Sequence, residues 1–141
     1  MDGILYAIGG RSTIGIALDT AESYNTATGQ WATLIPMPTA RSDLGVTGVD
    51  GILYAIGGWG GGSGVLDTVE SYNTATGQWA ALTPMPTARG YLGVTGMDGI
   101  LYAIGGCGSS GNLNTAESYN AATGQWAALS PMPTAREGLG V

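Results

Sequence analysis

Four arginines are the only cations in this 141-residue chain, and three of them close the same phrase, PMPTAR, at Arg41, Arg89 and Arg136. A guanidinium presents a planar fork of donors that matches a carboxylate or a phosphate. Arginines recurring at a fixed interval are therefore candidates for holding a small anion or an acidic peptide. The plainer reading, preferred here, is that each pairs with a nearby acid or a backbone carbonyl. The residues after each arginine differ between copies: Ser42-Asp43, Gly90-Tyr91 and Glu137-Gly138. Asp43 and Glu137 would weaken any positive field. Three loops differ as well: RSTIGIA from Arg11, WGGGSGV from Trp59 and CGSSGN from Cys107. Variation inside a repeated unit marks positions that the fold does not dictate. Arg41, Arg89, Arg136, Ser42, Asp43, Tyr91, Glu137, Arg11 and Trp59 are thus the candidate binding residues. Trp59 and Tyr91 have flat faces that would stack on a sugar or a peptide; covering loop backbone is an equal alternative.

Composition excludes much other chemistry. The chain has no histidine and no lysine. General acid–base work loses its usual residue, and a nucleophilic triad lacks its base. Metal sites built from His/Cys clusters are ruled out by count, so no metal and no cofactor are expected. GGWGGGSG, from Gly57 to Gly64, looks like a phosphate-cradling loop but lacks the Gly-Lys-Ser/Thr ending. Glu22, Glu70 and Glu117 each precede Ser-Tyr and read as structural hydrogen-bond acceptors rather than catalysts. Asp2, Asp50 and Asp98 read as turn residues. Ten acids against four arginines, a net charge of −6, argue against nucleic-acid partners and anionic membrane surfaces. The single Cys107 reads as a loop thiol or small filler. MDGILYAIGG has no basic region before its apolar run, and no apolar stretch is long enough to span a bilayer. No signal peptide or transmembrane segment is expected, and the compartment stays open.

These residues ride on a tandem repeat. DGILYAIGG begins at Asp2, Asp50 and Asp98, a spacing of 48 residues, while ESYN begins at Glu22, Glu70 and Glu117. The third unit is therefore one residue shorter, in the segment after its double glycine. The units run from about 2–49, 50–97 and 98–141. Each reads as four short strands. Asp50-Gly51 between the apolar runs LGVTGV and ILYAI is a two-residue hairpin signal. The run Ile52-Leu53-Tyr54-Ala55-Ile56 is apolar on both alternating faces and is expected to be covered on both sides. VESYN reads as the third strand, TATG as a turn and QWAALTPM as the fourth strand. Two prolines two apart cannot both donate to a ladder, so PMPTA is a connector. A small sheet apolar on both faces needs a sheet stacked on each side, and that stacking repeated around an axis is a propeller.

The double glycines Gly9-Gly10, Gly57-Gly58 and Gly105-Gly106, with the pairs Tyr24/Trp31, Tyr72/Trp79 and Tyr119/Trp126 at constant spacing, resemble the kelch repeat family across the whole chain. The resemblance implies an all-β, kelch-type β-propeller of four-stranded antiparallel blades. Six or seven blades are commonest in the family, and the loops at the propeller ends often bind partner peptides or proteins. It also implies that arginines at the position of Arg41, Arg89 and Arg136 contact carboxylates of acidic ligands. The family includes a copper oxidase, whose histidine ligands are missing here. This chain departs from the family in having only three repeats, nearly identical to one another, which suggests engineering or excision from a larger propeller.

Propellers span about four to eight blades, so three cannot close. Two copies give six. Val141 matches Val46 and Val94, and Met1 matches Val49 and Met97, so the chain is cut inside the hairpin between the first and second strands of a blade. The expectation is a C2 homodimer in which Leu139, Gly140 and Val141 of each chain complete the blade that begins with Ile4, Leu5, Tyr6, Ala7 and Ile8 of the other. The expected function is a non-enzymatic, self-assembling half-propeller scaffold, with an anion or acidic-peptide pocket at the channel mouth as a further candidate. The alternatives are a carbohydrate-binding or glycan-processing propeller, carried by arginine, carboxylates and Trp59, and a fragment of a larger protein-interaction kelch domain.

Overall fold

The computed structural model describes residues 3–141. Met1 and the expected turn residue Asp2 lie outside the described residues. Among the described residues the chain forms three stacked antiparallel sheets and one small ribbon. The first sheet holds β1 (Ile4–Ile8), β2 (Ala21–Asn25) and β3 (Gln30–Thr33) in that order. The second holds β4 (Gly45–Val49), β5 (Ile52–Ile56), β6 (Val69–Asn73) and β7 (Gln78–Ala81), again in chain order. The third repeat contributes β8 (Gly93–Met97), β9 (Ile100–Ile104), β10 (Cys107–Gly108), β11 (Gly111–Asn112), β12 (Ala116–Asn120) and β13 (Gln125–Leu129). Its sheet runs β8-β9-β12-β13, and β10-β11 is the separate ribbon.

The turn chemistry explains the registers. Asp50 (φ 49°) and Gly51 (φ 77°) are both left-handed, as are Asp98 (φ 52°) and Gly99 (φ 76°). Two left-handed central residues are the primed turn whose twist matches paired strands, and β4 and β8 pair with β5 and β9 directly across it. At the third turn, the Asn25, Asn73 and Asn120 side chains each accept N–H bonds from two and three residues on. That Asx geometry sets tyrosine opposite tryptophan in the next strand, with ring centroids 5.1 Å apart in all three repeats.

The core lies between the second and third sheets. Tyr54, Ile56, Val69 and Met85 pack there with Leu92, Leu101, Ala103 and Tyr119. Glycine permits the close approach of the two inner strands: a Cβ at Gly45 would overlap Val94, and one at Gly96 would overlap Val49.

The first sheet has three strands, since among the described residues no inner strand lies beside β1, as the cut of the repeat leads one to expect. ILYAI is covered on both faces in β5, as expected, but not in β1, on whose outer face no sheet is stacked among the described residues: Leu5 is 58 % exposed, against 5 % for Leu53 and 0 % for Leu101 at the same place in the repeat. One expectation needs correction. The fourth strand does not run through QWAALTPM; it ends at Ala81 in the second repeat and at Leu129 in the third, since the chain leaves the sheet ahead of its proline connector. The glycine-rich loops carry short regular pieces of their own: Gly61–Ser63 makes a 3-10 turn, and 107–112 folds back on itself as β10-β11. No helix among the described residues is long and apolar enough to cross a membrane.

Burial is the first cause raising the pKa of Tyr54, Tyr72 and Tyr119 above the ordinary 10.0. In the unfolded chain these phenols ionise at about pH 10, before their folded counterparts. Above that pH the unfolded state holds fewer protons, so stability falls as pH rises toward the folded values. Urea midpoints taken at intervals from pH 9 upward should therefore stay level to about pH 10 and then decline. A midpoint that rises over that interval would contradict the assignment.

Candidate functional site

The strand-to-strand connectors carry the arginines, and the structure turns two of them inward. Arg41 is wholly buried. Its Nη2 donates to Glu70 Oε2 on β6 at 2.6 Å, and its Nη1 donates to the carbonyls of Gly57 (3.0 Å) and Thr68 (2.8 Å). The Nε–H points at Met37 Sδ, 3.3 Å away. Thr39, two residues earlier, donates its hydroxyl to the other Glu70 oxygen at 2.7 Å. Arg89 repeats the arrangement in the next sheet. It is also wholly buried, donates Nη1 to the Gly105 and Thr115 carbonyls at 2.9 Å each, and lies 2.9 Å from Glu117 Oε2. Thr87 donates to Glu117 Oε1 at 2.6 Å. The second pair is less well aimed than the first: Arg89 Nη2 and Glu117 Oε2 are in ion-pair contact, yet neither finds a well-directed hydrogen bond. Burial is the larger influence on both guanidinium groups and lowers their pKa, with the glutamate charge acting the other way.

The plainer reading preferred from the sequence therefore holds at Arg41 and Arg89, and their candidacy as ligand groups at a channel mouth is set aside. Their donors are spent on Glu70, Glu117 and backbone carbonyls, so a bound anion would have to displace a buried carboxylate. Arg136 is different. It is exposed, and among the described residues it has no ion pair.

The remaining candidates do gather on one face, through backbone pairing between the connectors and the loops after the double glycines. Ser42 and Trp59 exchange N–H bonds at 3.0 and 2.7 Å, and Gly90 and Cys107 do so at 3.0 and 2.8 Å. Arg11 reaches across to Asp43 at 3.0 Å and to Ser42 Oγ at 3.3 Å, and Ser42 Oγ donates to Asp43 at 2.7 Å. The Tyr91 N–H donates to the Asp43 carbonyl, and the Gly138 N–H to the Tyr91 carbonyl, both at 2.8 Å. These three equivalent positions are all left-handed, with φ of 55° at Asp43, 53° at Tyr91 and 62° at Gly138. Trp59 and Tyr91 are partly exposed there. Burial first, then the neighbouring Glu137, pushes the Cys107 thiol up, which keeps it protonated. The described residues enclose no pocket at this face.

The residues expected to take part in ring closure lie at the two ends of the stack. Ile4–Ile8 is β1, with its inner edge unpaired. Leu139, Gly140 and Val141 form no strand, yet they lie against β8: a Cβ at Gly93 would overlap Val141, as one at Gly45 would overlap Val94.

The residues missed by sequence reasoning are Thr39 and Thr87, which orient the glutamates, and the indole donors Trp79 and Trp126. Trp79 Nε1 donates to the Ile35 carbonyl at 2.9 Å, and Trp126 Nε1 to the Thr83 carbonyl at 3.0 Å, each tying one sheet to the connector leaving the sheet before it. A signal was present: Arg41 precedes Glu70 by 29 residues, and the interval recurs, shortened by the single deletion, from Arg89 to Glu117.

The Kelch motif model matches residues 1–38, 40–86 and 88–133, nearly the full chain in three consecutive copies. A search of curated proteins gives no match.

Proposed function

Because the chain belongs to the kelch repeat family, we propose that it is a non-enzymatic scaffold unit, three blades of a β-propeller that two copies close into a six-bladed ring. One observation carries the reading. Leu139–Val141 sits on β8 as β8 sits on β4, one sheet further along the stack, while the first sheet lacks a strand in that same inner position. What one end of the stack offers is what the other end needs. Three sheets fall short of the four to eight blades of known propellers, whereas six fall within them. A two-fold axis makes both junctions alike, as an isologous interface requires. The exposed Leu5 and Trp31 on the first sheet are the apolar surface such a junction would cover. The glycan-processing alternative loses support, since Arg41 and Arg89 are committed to buried acids.

Light scattering on the eluting peak should give twice the 14.2 kDa chain mass. A matched variant sharpens the test. Gly140 has nothing within 4 Å of a Cβ in the single chain, whereas its equivalents Gly45 and Gly93 abut Val94 and Val141. In the ring Gly140 would abut Val46 of the second copy. Gly140→Val is therefore expected to reduce the mass to that of one chain. A native chain that stays single would sink the ring and favour a stack continued by further repeats of a longer protein.

A further inference from the structure

Each internal joint of the stack carries the same four polar groups. At the first, Arg41 and Thr39 converge on Glu70, and Trp79 donates to the Ile35 carbonyl. At the second, Arg89 and Thr87 converge on Glu117, and Trp126 donates to the Thr83 carbonyl. The chain holds a third set, divided between its ends. Arg136, Thr134 and the Ser130 carbonyl occupy the last connector; Glu22 and Trp31 occupy the first sheet. Glu22 and Arg136 are exposed, and among the described residues neither has an ion-pair partner. Trp31 is 58 % exposed, against partial burial for Trp79 and Trp126. The carbonyl of Thr20 already accepts the Gly9 N–H at 2.8 Å, as the carbonyl of Thr68 accepts the Gly57 N–H at 2.9 Å beside Arg41. The receiving cradle on the first sheet is thus built to the same plan as the filled ones.

We propose that Arg136 of one copy docks into Glu22 of a second copy, and that this ion pair selects the partner at the ring junction. The inference rests on the ring reading and goes further, naming the groups that decide which surface is accepted. Thr134 would donate to the same Glu22, and Trp31 would donate to the Ser130 carbonyl of the incoming chain. Apolar stacking alone is undiscriminating, because any apolar surface of similar shape could cover the exposed Leu5 and Trp31. A charge buried at the junction is tolerated only when its counter-charge arrives with it. The first sheet therefore rejects any connector lacking an arginine at this register, and the last connector rejects any sheet lacking the glutamate.

Two complementary variants test this. E22R alone sets arginine against Arg136 at both junctions, and R136E alone sets glutamate against Glu22 at both. Each should weaken self-association by at least about 100-fold per junction. Mixed in equal amounts, the two chains can form one native junction and one reversed junction. Native mass spectrometry should then show the heterodimer while each variant alone shows single chains. Both residues are exposed in the single chain, so far-UV circular dichroism of the separate variants should match that of native protein diluted to the single-chain state. Either variant pairing with itself as well as the native chain does would overturn the proposal, as would failure of the mixture to associate. Both results leave the ring reading intact if the native chain is dimeric. A native chain that never dimerises overturns the ring reading itself, and this one with it.

Discussion

Glu70→Ala is expected to cost the chain about 3–5 kcal/mol of folding stability, the largest loss of any single substitution considered. The substitution removes the acceptor for Arg41 Nη2 at 2.6 Å and for Thr39 Oγ1 at 2.7 Å. Arg41 keeps its bonds to the Gly57 and Thr68 carbonyls, but its charge stays wholly buried with nothing to balance it. Stranding one member of a buried pair costs about 3–5 kcal/mol. A small domain has only about 5–15 kcal/mol to lose. Burial lowers the Arg41 pKa and the Glu70 charge opposes it, so the carboxylate is what favours the charged guanidinium in this site. The paired change R41M/E70L removes both charges together and should recover most of the stability, because an apolar pair of similar volume has no desolvation penalty. Urea unfolding followed by tryptophan fluorescence, at one fixed protein concentration, reads both effects. A Glu70→Ala midpoint within about 1 kcal/mol of native would show that the pair is not what holds the connector, given the cost expected for a stranded charge.

Gly57→Ala ranks next. Gly57 ends β5 with φ of 62°, and a Cβ there would overlap the carbonyl oxygen of Arg89 and crowd Met85 Cε at 3.2 Å. The left-handed conformation costs a non-glycine residue about 1–2 kcal/mol. Overpacking against backbone that cannot yield adds about 1–3 kcal/mol. Gly61 separates the two contributions. It has φ of 63° but open space around its Cβ position, so Gly61→Ala should show the conformational cost alone. Equal losses at the two glycines, measured by the same urea titration, would rule out the close approach of connector and strand as the cause.

Most of the strand plan was legible, because turn chemistry is local. Asp-Gly at 50–51 and 98–99 dictates its hairpins wherever it stands, and the Asn25, Asn73 and Asn120 turns follow from side chains within three residues of the backbone they hold. Burial was not legible in the same way. ILYAI is spelled identically in β1, β5 and β9, yet Leu5 is exposed and Leu101 is not, since exposure depends on the neighbouring sheet rather than on the strand's own residues. The partners of Arg41 and Arg89 were not legible for a related reason, although pairing with an acid or a carbonyl was the preferred reading. PMPTAR states that a fork of donors is present but not which way it turns. That choice is made by Glu70 and Glu117, about thirty positions away along the chain, and by carbonyls that carry no sequence signature at all. The threonines passed as connector residues because a hydroxyl two positions before an arginine has no meaning until the glutamate between them is in place.

The uniformity of the joints has a further consequence, for how such a chain goes wrong. Arg41 with Glu70 and Arg89 with Glu117 are built from the same parts, so a connector carries no address saying which repeat it should enter. During refolding at high concentration, the arginine of one molecule can capture the glutamate of another before its own arrives. Domain-swapped chains of indefinite length are the natural by-product, as in other tandem-repeat proteins. The one difference in length, the residue missing from the loop of the third repeat, lies away from the joints and offers no protection against this error.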